Sequence, residues 1–508
     1  MSFFQLDRTD ASMTFATNNP VNQLGPVFQQ QIPVVTSTDF KSFMAAFAKR
    51  CNFVQDESKP DKDDISDDSF REALAVIDAM PDLFQPWDEN QIDRARWMSK
   101  FDKNKRQDME RAFSTLPDSV SPSYLGQKDL SVKQEVLIKR DDPAWAPRVI
   151  YAGNDHFNTW TGPASMIVME RLCQLTGRKR DNPANHQIPI GPIQTMFAYK
   201  QDDVSLSDHI TDKEYPELVE GDFSRNDREQ RKRVALLYDR WLQKLAMPKW
   251  FRTLLLELEK FTVRSHKYGL RAKLKFQLPT GTTSTTPRNS AYNATMFAVA
   301  CQRQKITSGK SLILGDDILA ALRHRLKLDK WTKDVASFKM VLKAKAPRLQ
   351  GEATFLSRRF VTDTEHPFML PLLGKMLVRF NVRGTHNEGC SDSAYMAGKA
   401  LSYAFETRHV PFLSRMFLER FRREDSSTLT VDDLSFYAKR HAGSIGQLLQ
   451  KLRDEPVTIS DDHFAFWCCE FYDSDAVEVK EIFESVVLSN ECIVIDDPRL
   501  KRFEHDYA

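Results

Sequence analysis

The feature that most constrains this chain is a run of three aliphatic residues, Leu312-Ile313-Leu314, that stops abruptly at Gly315-Asp316-Asp317. A short apolar run breaking into a glycine-containing turn reads as a buried strand, Ser311 to Asp317, that delivers two carboxylates to its tip. A second acidic segment lies upstream: Glu220-Gly221-Asp222-Phe223-Ser224-Arg225-Asn226-Asp227. Between the two sits a Thr/Gly-rich stretch, Pro279-Thr280-Gly281-Thr282-Thr283-Ser284-Thr285-Thr286-Pro287-Arg288-Asn289. Pro287 suits the first turn of a helix, which places Arg288 and Asn289 on that turn. Gly281 follows Asp222 by 59 positions, and Asp316 follows Gly281 by 35. Singly, each segment is ordinary, a turn or a loop. In this order they fit one chemistry. Carboxylates converging from adjacent strand ends repel unless cations sit between them, and hard oxygen donors suit Mg²⁺ or Mn²⁺. Two such ions activate an attacking hydroxyl and stabilise a leaving pyrophosphate in an in-line displacement.

The rest of the chain sets the frame. Its 508 residues are enough for several lobes with large cores. With 41% hydrophobic and 28% charged residues it is neither disordered nor fibrous. Lys plus Arg (72) nearly cancel Asp plus Glu (70), so any basic surface must be local. Seven scattered cysteines without C-x-x-C read as free thiols in a reducing compartment, with the adjacent Cys468 and Cys469 both buried. No apolar run approaches a membrane span, and the start lacks the pattern of a signal peptide. The first forty residues read as an extended arm, and Asp56 to Asp68 as a solvated loop. Helical spacing of apolar residues predicts helices over Phe40–Phe53, Phe70–Met80, Arg228–Gln243 and Phe251–Tyr268. Val132–Ile138 and Ala146–Tyr151 read as strands. Ser308-Gly309-Lys310-Ser311 lacks the upstream glycine of a P-loop and reads as a turn. From about Glu365 onward the pattern is mostly helical, so the whole is α+β with its strands mainly in the middle third.

The order D-x4-D, then [ST]-G-x3-T-x3-N, then GDD resembles palm motifs A, B and C of RNA-dependent RNA polymerases from positive-strand RNA viruses. Motif B is matched by Thr280-Gly281, Thr285 and Asn289. Upstream, Lys133-Gln134-Glu135, Lys139-Arg140 and Pro147-Arg148-Val149-Ile150 look like the basic fingers motif F. Phe338 to Lys345 looks like motif D, and Ala353 to Phe360 resembles motif E. The phrase Phe355-Leu356-Ser357-Arg358 and the segment Gly398 to Tyr403 are most similar to nodavirus-like and tombusvirus-like replicases, although Asn226 stands where their motif A usually has an aromatic.

The resemblance implies an RNA-directed RNA polymerase with a right-hand α+β fold. It implies an N-terminal extension (1–115), fingers (116–215 and 236–275), a palm (216–235 and 276–362) with a small antiparallel sheet, and a helical thumb (363–508). Asp222 and Asp316 would bind two Mg²⁺ or Mn²⁺ ions, with Asp317 as accessory ligand. Asp227, Thr285 and Asn289, beside Gly281, would recognise the ribose of the incoming nucleotide. Arg148, with Lys139 or Arg140, would hold its triphosphate, and one of Lys339, Lys343 and Lys345 would protonate pyrophosphate. Implied partners are RNA template and product, ribonucleoside triphosphates, and other viral or host replication factors. The implied location is the host cytoplasm, at membrane-associated replication sites reached through those factors.

Two alternatives compete. A reverse transcriptase-like polymerase shares the two-metal logic but usually carries a bulky aromatic at the position of Asp227. A non-catalytic RNA-binding replication protein would draw on the basic runs Arg178-Lys179-Arg180 and Arg228 to Arg233, yet has no use for the aspartates together with Thr285 and Asn289.

Overall fold

A computed structural model describes residues 18–29, 32–51, 64–88, 93–101, 103–116, 120–138, 145–177, 186–348, 350–362, 364, 367–384, 390–454 and 459–506. The chain divides into two compact units. One contains Phe43–Val132 and Ala146–Leu356, the other Ser12–Ser42, Lys133–Trp145 and Ser357–Ala508.

The first unit is built on a five-stranded sheet in the order Val341–Lys345, Glu217–Ser224, Asp317–Leu322, Gly309–Leu314, Ile193–Phe197. Its first three junctions are antiparallel, and the last is parallel. Along Glu217–Ser224, Val219, Gly221 and Phe223 turn inward and Asp222 turns out. This is the period-2 alternation of a strand with one packed face. The inner face packs into a core with the helix Thr285–Arg303, in which every residue from Pro287 to Cys301 is buried. Burial on all sides makes this a core helix, and its polar members Arg288, Asn289 and Asn293 are each hydrogen-bonded there. The helix Leu328–Ser337 closes the same face through Trp331, whose ring meets Phe297 edge-on at 5.3 Å. Gly221 permits that approach. A Cβ there would lie 2.7 Å from Ile318 and 2.8 Å from Trp331, closer than atoms pack.

A second sheet in this unit runs Leu270–Lys275, Lys260–Ser265, Gln127–Val132, Val149–Gly153. Its inner face, with Phe261, Val263, Leu274, Leu130 and Tyr151, packs on Phe43 and Phe47.

The second unit is mostly helical. The helices Leu373–Phe380, Asp392–Glu406, Pro411–Arg423, Asp461–Tyr472 and Ala476–Val487 enclose a core that includes Phe380, Phe417, Trp467 and Phe483. The N-terminal arm belongs to it: Asn22–Gln23 pairs with Val382–Arg383, and Val27–Phe28 with Val494–Ile495.

Several sequence expectations are corrected. The helix expected over Phe251–Tyr268 is a helix only over Lys249–Glu257, and the chain then enters the hairpin Lys260–Ser265/Leu270–Lys275. Val132–Ile138 is not one strand, because Gln127–Val132 and Val136–Ile138 serve different sheets. Gly309–Ser311 lies in a strand rather than a turn, and Lys310 is ion-paired with Asp212 at 2.7 Å. Cys468 is buried but Cys469 is exposed. None of the seven cysteines is disulfide-bonded. Among the described residues no helix is long and apolar enough to cross a membrane.

Candidate active site

Gly315 and Asp316 form the two-residue turn that joins Gly309–Leu314 to Asp317–Leu322, with Leu314 opposite Asp317. Two-residue hairpin turns need a positive φ at the first central residue, and Gly315 supplies +65° without steric cost. Asp317 faces Asp222 across the next junction, and Asp222 faces Lys343 across the one after. Residues directly opposite share a face with Cβ atoms about 5 Å apart. Lys343, Asp222 and Asp317 therefore make one row, and Asp316 precedes Asp317 in the turn. Of the three motif D lysines, Lys345 faces Glu220 instead, and Lys339 follows the Leu328–Ser337 helix at φ +62°.

The helix Thr285–Arg303 begins two residues before Pro287, which falls inside its first turn, and holds the acidic turn in place. Ser290 Oγ accepts from the Gly315 amide at 2.8 Å, and Asn293 Nδ2 donates to the Gly315 carbonyl at 2.5 Å. Asn226 donates in turn to Asn293 Oδ1 at 3.4 Å. Both asparagines are buried. The residue that departs from the aromatic pattern in motif A thus joins the acidic turn through the helix.

Asp227 sits at the other side. Asn289 Nδ2 donates to its carboxylate at 2.7 Å, the Thr280 hydroxyl donates to its second oxygen, and Gln230 donates to Asn289 at 2.6 Å. Thr285 donates to the Pro279 carbonyl at 3.0 Å. Gly281 (φ +90°) lies near Ile150, and Tyr151 N donates to the Thr280 carbonyl at 3.0 Å. The motif B loop is therefore fastened to the strand that follows Arg148. Lys139, Arg140 and the run Arg178 to Arg180 lie outside the described residues. The other basic run is largely neutralised: Arg228 and Arg231 pair with Glu229, and Arg233 with Asp67.

Electrostatics tie these groups together. Asp316 touches solvent, yet enough protein surrounds it that desolvation raises its carboxyl above the usual range. The like charges of Asp227 and Asp222 add to this, while its own amide and the Arg148 guanidinium oppose it. Desolvation also raises Asp227, against the hydrogen bonds from Thr280 and Asn289 and the charges of Arg288 and Arg50. Among the described residues, no three His, Cys, Asp or Glu side chains form a closed metal cage. A divalent ion that keeps water and phosphate oxygens in its shell does not need one, since one or two carboxylates suffice. The crowded, mutually repelling aspartates fit that role.

Ser290 and Asn293 escaped sequence reasoning, and Thr280 was read only as part of motif B. The available signal was a polar stripe, Asn289, Ser290 and Asn293, at i, i+1 and i+4 on an otherwise core-like helix. Asn293→Ala is expected to cost about 1–3 kcal/mol by stranding the Gly315 carbonyl. It should also lower kcat more than it changes KM, as measured by urea unfolding and nucleotide incorporation.

A sheet that presents crowded carboxylates at a hairpin tip, beside a hydrogen-bonded acid and a Gly/Thr loop, suits nucleotidyl transfer. The chain belongs to the viral RNA-dependent RNA polymerase family, whose model, described as RNA dependent RNA polymerase, matches residues 2–440. Comparison with curated proteins finds no match. The protein is accordingly an RNA-directed RNA polymerase, a transferase of viral RNA replication, and enzymes of this family generally use divalent metal ions.

Proposed function

We propose that this polymerase copies RNA by attack of an RNA 3′-hydroxyl on the α-phosphorus of a ribonucleoside triphosphate. The new O3′–P bond forms as the bond to the β-phosphate oxygen breaks, the hydroxyl proton leaves to solvent, and pyrophosphate departs. Asp222 and Asp316 would hold two Mg²⁺ or Mn²⁺ ions, with Asp317 as an accessory ligand. Such ions, when bound, activate the hydroxyl and neutralise charge on the leaving group. Arg148 neutralises the triphosphate, assisted by Lys139 or Arg140. Lys343, in register with Asp222, gives pyrophosphate its proton. Asp227, held by Asn289 and Thr280, accepts a hydrogen bond from the ribose 2′-hydroxyl.

The reading extends to a palm (216–235, 276–362), fingers (116–215, 236–275), a thumb (363–508) and an N-terminal extension (1–115), in a nodavirus-like or tombusvirus-like replicase. Other factors bring it to cytoplasmic membrane-associated replication sites. The observation that best supports this reading is geometric: Asp317 stands opposite Asp222 beside the Gly315-Asp316 turn, and the helix whose Ser290 holds that turn also carries Asn289, the donor to Asp227. Asp227→Ala tests it. The preference for ribo- over 2′-deoxyribonucleotides on an RNA template should fall by at least about tenfold, since a site built to bond a hydroxyl rejects analogues lacking it. Unchanged discrimination with reduced overall rate would remove Asp227 from sugar selection.

A further inference from the structure

The hairpin Lys260–Ser265/Leu270–Lys275 is a costly thing to build. Its sixteen residues, Lys260 to Lys275, contain four Lys, two Arg and no acid. Lys260 stands directly opposite Lys275, Arg264 opposite Arg271, and Thr262 opposite Lys273. Like charges on one antiparallel rung destabilise it. The alternate positions, Phe261, Val263 and Leu274, are buried, so Lys260, Arg264, Arg271, Lys273 and Lys275 lie on the other, outer face, with Lys267 in the connecting turn. Lys260, Arg271 and Lys273 are exposed there. On the neighbouring strand Asp129 lies 3.6 Å from Arg264 and 3.4 Å from His266, offsetting part of the charge, and Gln127 accepts from Arg264. A run of like charges kept against this penalty calls for an anionic partner.

We infer that this outer face is a binding surface for the phosphate backbone of single-stranded RNA, an inference that rests on the polymerase reading above. The cationic rungs recur every second residue, about 6.8 Å apart, along a ribbon two strands wide. That is a track for one backbone. Its outer positions, Lys260, Thr262, Arg264, Arg271, Lys273 and Lys275, include no aromatic on which a base would stack, so the grip is electrostatic and indifferent to sequence. The surface is joined to the candidate site through the backbone. The return strand runs through Phe276 and Gln277 to Leu278, whose amide donates to the Asp227 carbonyl at 3.0 Å. The far strand of the same sheet, Val149–Gly153, follows Arg148 directly. RNA held on the hairpin is thereby held relative to the acidic turn.

The test is the salt dependence of binding to oligo(U) by the full chain. Each phosphate contact on a single strand contributes about 0.7 to the slope of log K against log salt. The variant Arg264→Gln/Arg271→Gln/Lys273→Gln should lose about 2 from that slope. The charge-keeping variant Arg264→Lys/Arg271→Lys/Lys273→Arg should retain it. The neutral variant should melt no lower than wild type, because it relieves repulsion. A wild-type slope in the neutral variant would overturn the inference. So would loss of binding to phosphatidylserine vesicles with an unchanged RNA slope, which would give the face to a membrane. Wild-type protein is assayed in parallel for RNA-templated incorporation. No incorporation would overturn the polymerase reading and this inference with it, whereas incorporation with an unchanged slope overturns the inference alone.

Discussion

Exchanging Asp316 for alanine is expected to lower nucleotide incorporation by at least about a thousandfold, some 4 kcal/mol of barrier, while leaving the protein folded. The two halves of this expectation have separate causes. The activity loss follows from removing the carboxylate at the tip of the turn, where burial and the charges of Asp227 and Asp222 already crowd it. Those same charges make it a poor contributor to folding. Its side chain reaches solvent, and the turn is held by Ser290 and Asn293 through the backbone of Gly315 rather than through Asp316. Thermal stability without metal should therefore match or slightly exceed wild type. Added Mn²⁺ should raise the melting temperature of the wild type more than that of the variant, because a ligand stabilises only the state that binds it. Incorporation within tenfold of wild type, with an equal metal-induced shift, would remove Asp316 from the metal site.

What could be read in the sequence is what is written locally. The acidic turn and its strand are specified by seven consecutive residues, and Asp227 with Asn289 by their motif spacing. Register was not legible, and it is what puts Lys343 rather than Lys345 opposite Asp222. The basic hairpin was misread as helix because Leu254, Leu255 and Leu258 continue a helical spacing into Phe261. The switch to period 2 at Lys260 has no Gly or Pro to mark it. The cations that reveal the outer face were thereby spread around an imagined helix. The N-terminal arm shows a different limit. It was read as extended, but Asn22 bonds to Asp392, 370 positions away, and no local pattern names such a partner. Ser290 and Asn293 were hidden for a third reason: small polar residues on a buried helix look like tolerated core until their backbone partner is known.

Arg288→Met should destabilise the first unit by about 3–5 kcal/mol, the largest loss of stability expected from a single polar substitution here. Arg288 and Glu259 are both buried and meet through two nitrogen–oxygen contacts, the second at 3.4 Å. Glu259 lies one residue before the basic hairpin, and its carbonyl accepts from Phe276 at 2.7 Å where the hairpin closes. Arg288 lies on the helix that carries Asn289 and Ser290. The pair thus pins the hairpin base to the helix that positions the acidic turn. Removing the arginine leaves a carboxylate stranded in the core. The pair itself is a weak net stabiliser, since desolvation opposes it and Arg288 Nε has no hydrogen-bond partner. Glu259→Met/Arg288→Met should accordingly recover most of the loss in urea unfolding. The pH dependence separates this from a packing defect. Burial already pushes the Glu259 carboxyl up, against the pull of Arg288. Without the arginine it rises further, and a carboxylate whose folded pKa is raised makes folding less favourable as pH climbs from its unfolded value, about 4.3, through the folded one. The single variant should therefore gain stability relative to wild type as pH is lowered from 8 to 5, and the double variant should not. Equal losses for single and double variants, independent of pH, would show that packing around Arg288, not its charge, holds the hairpin to the helix.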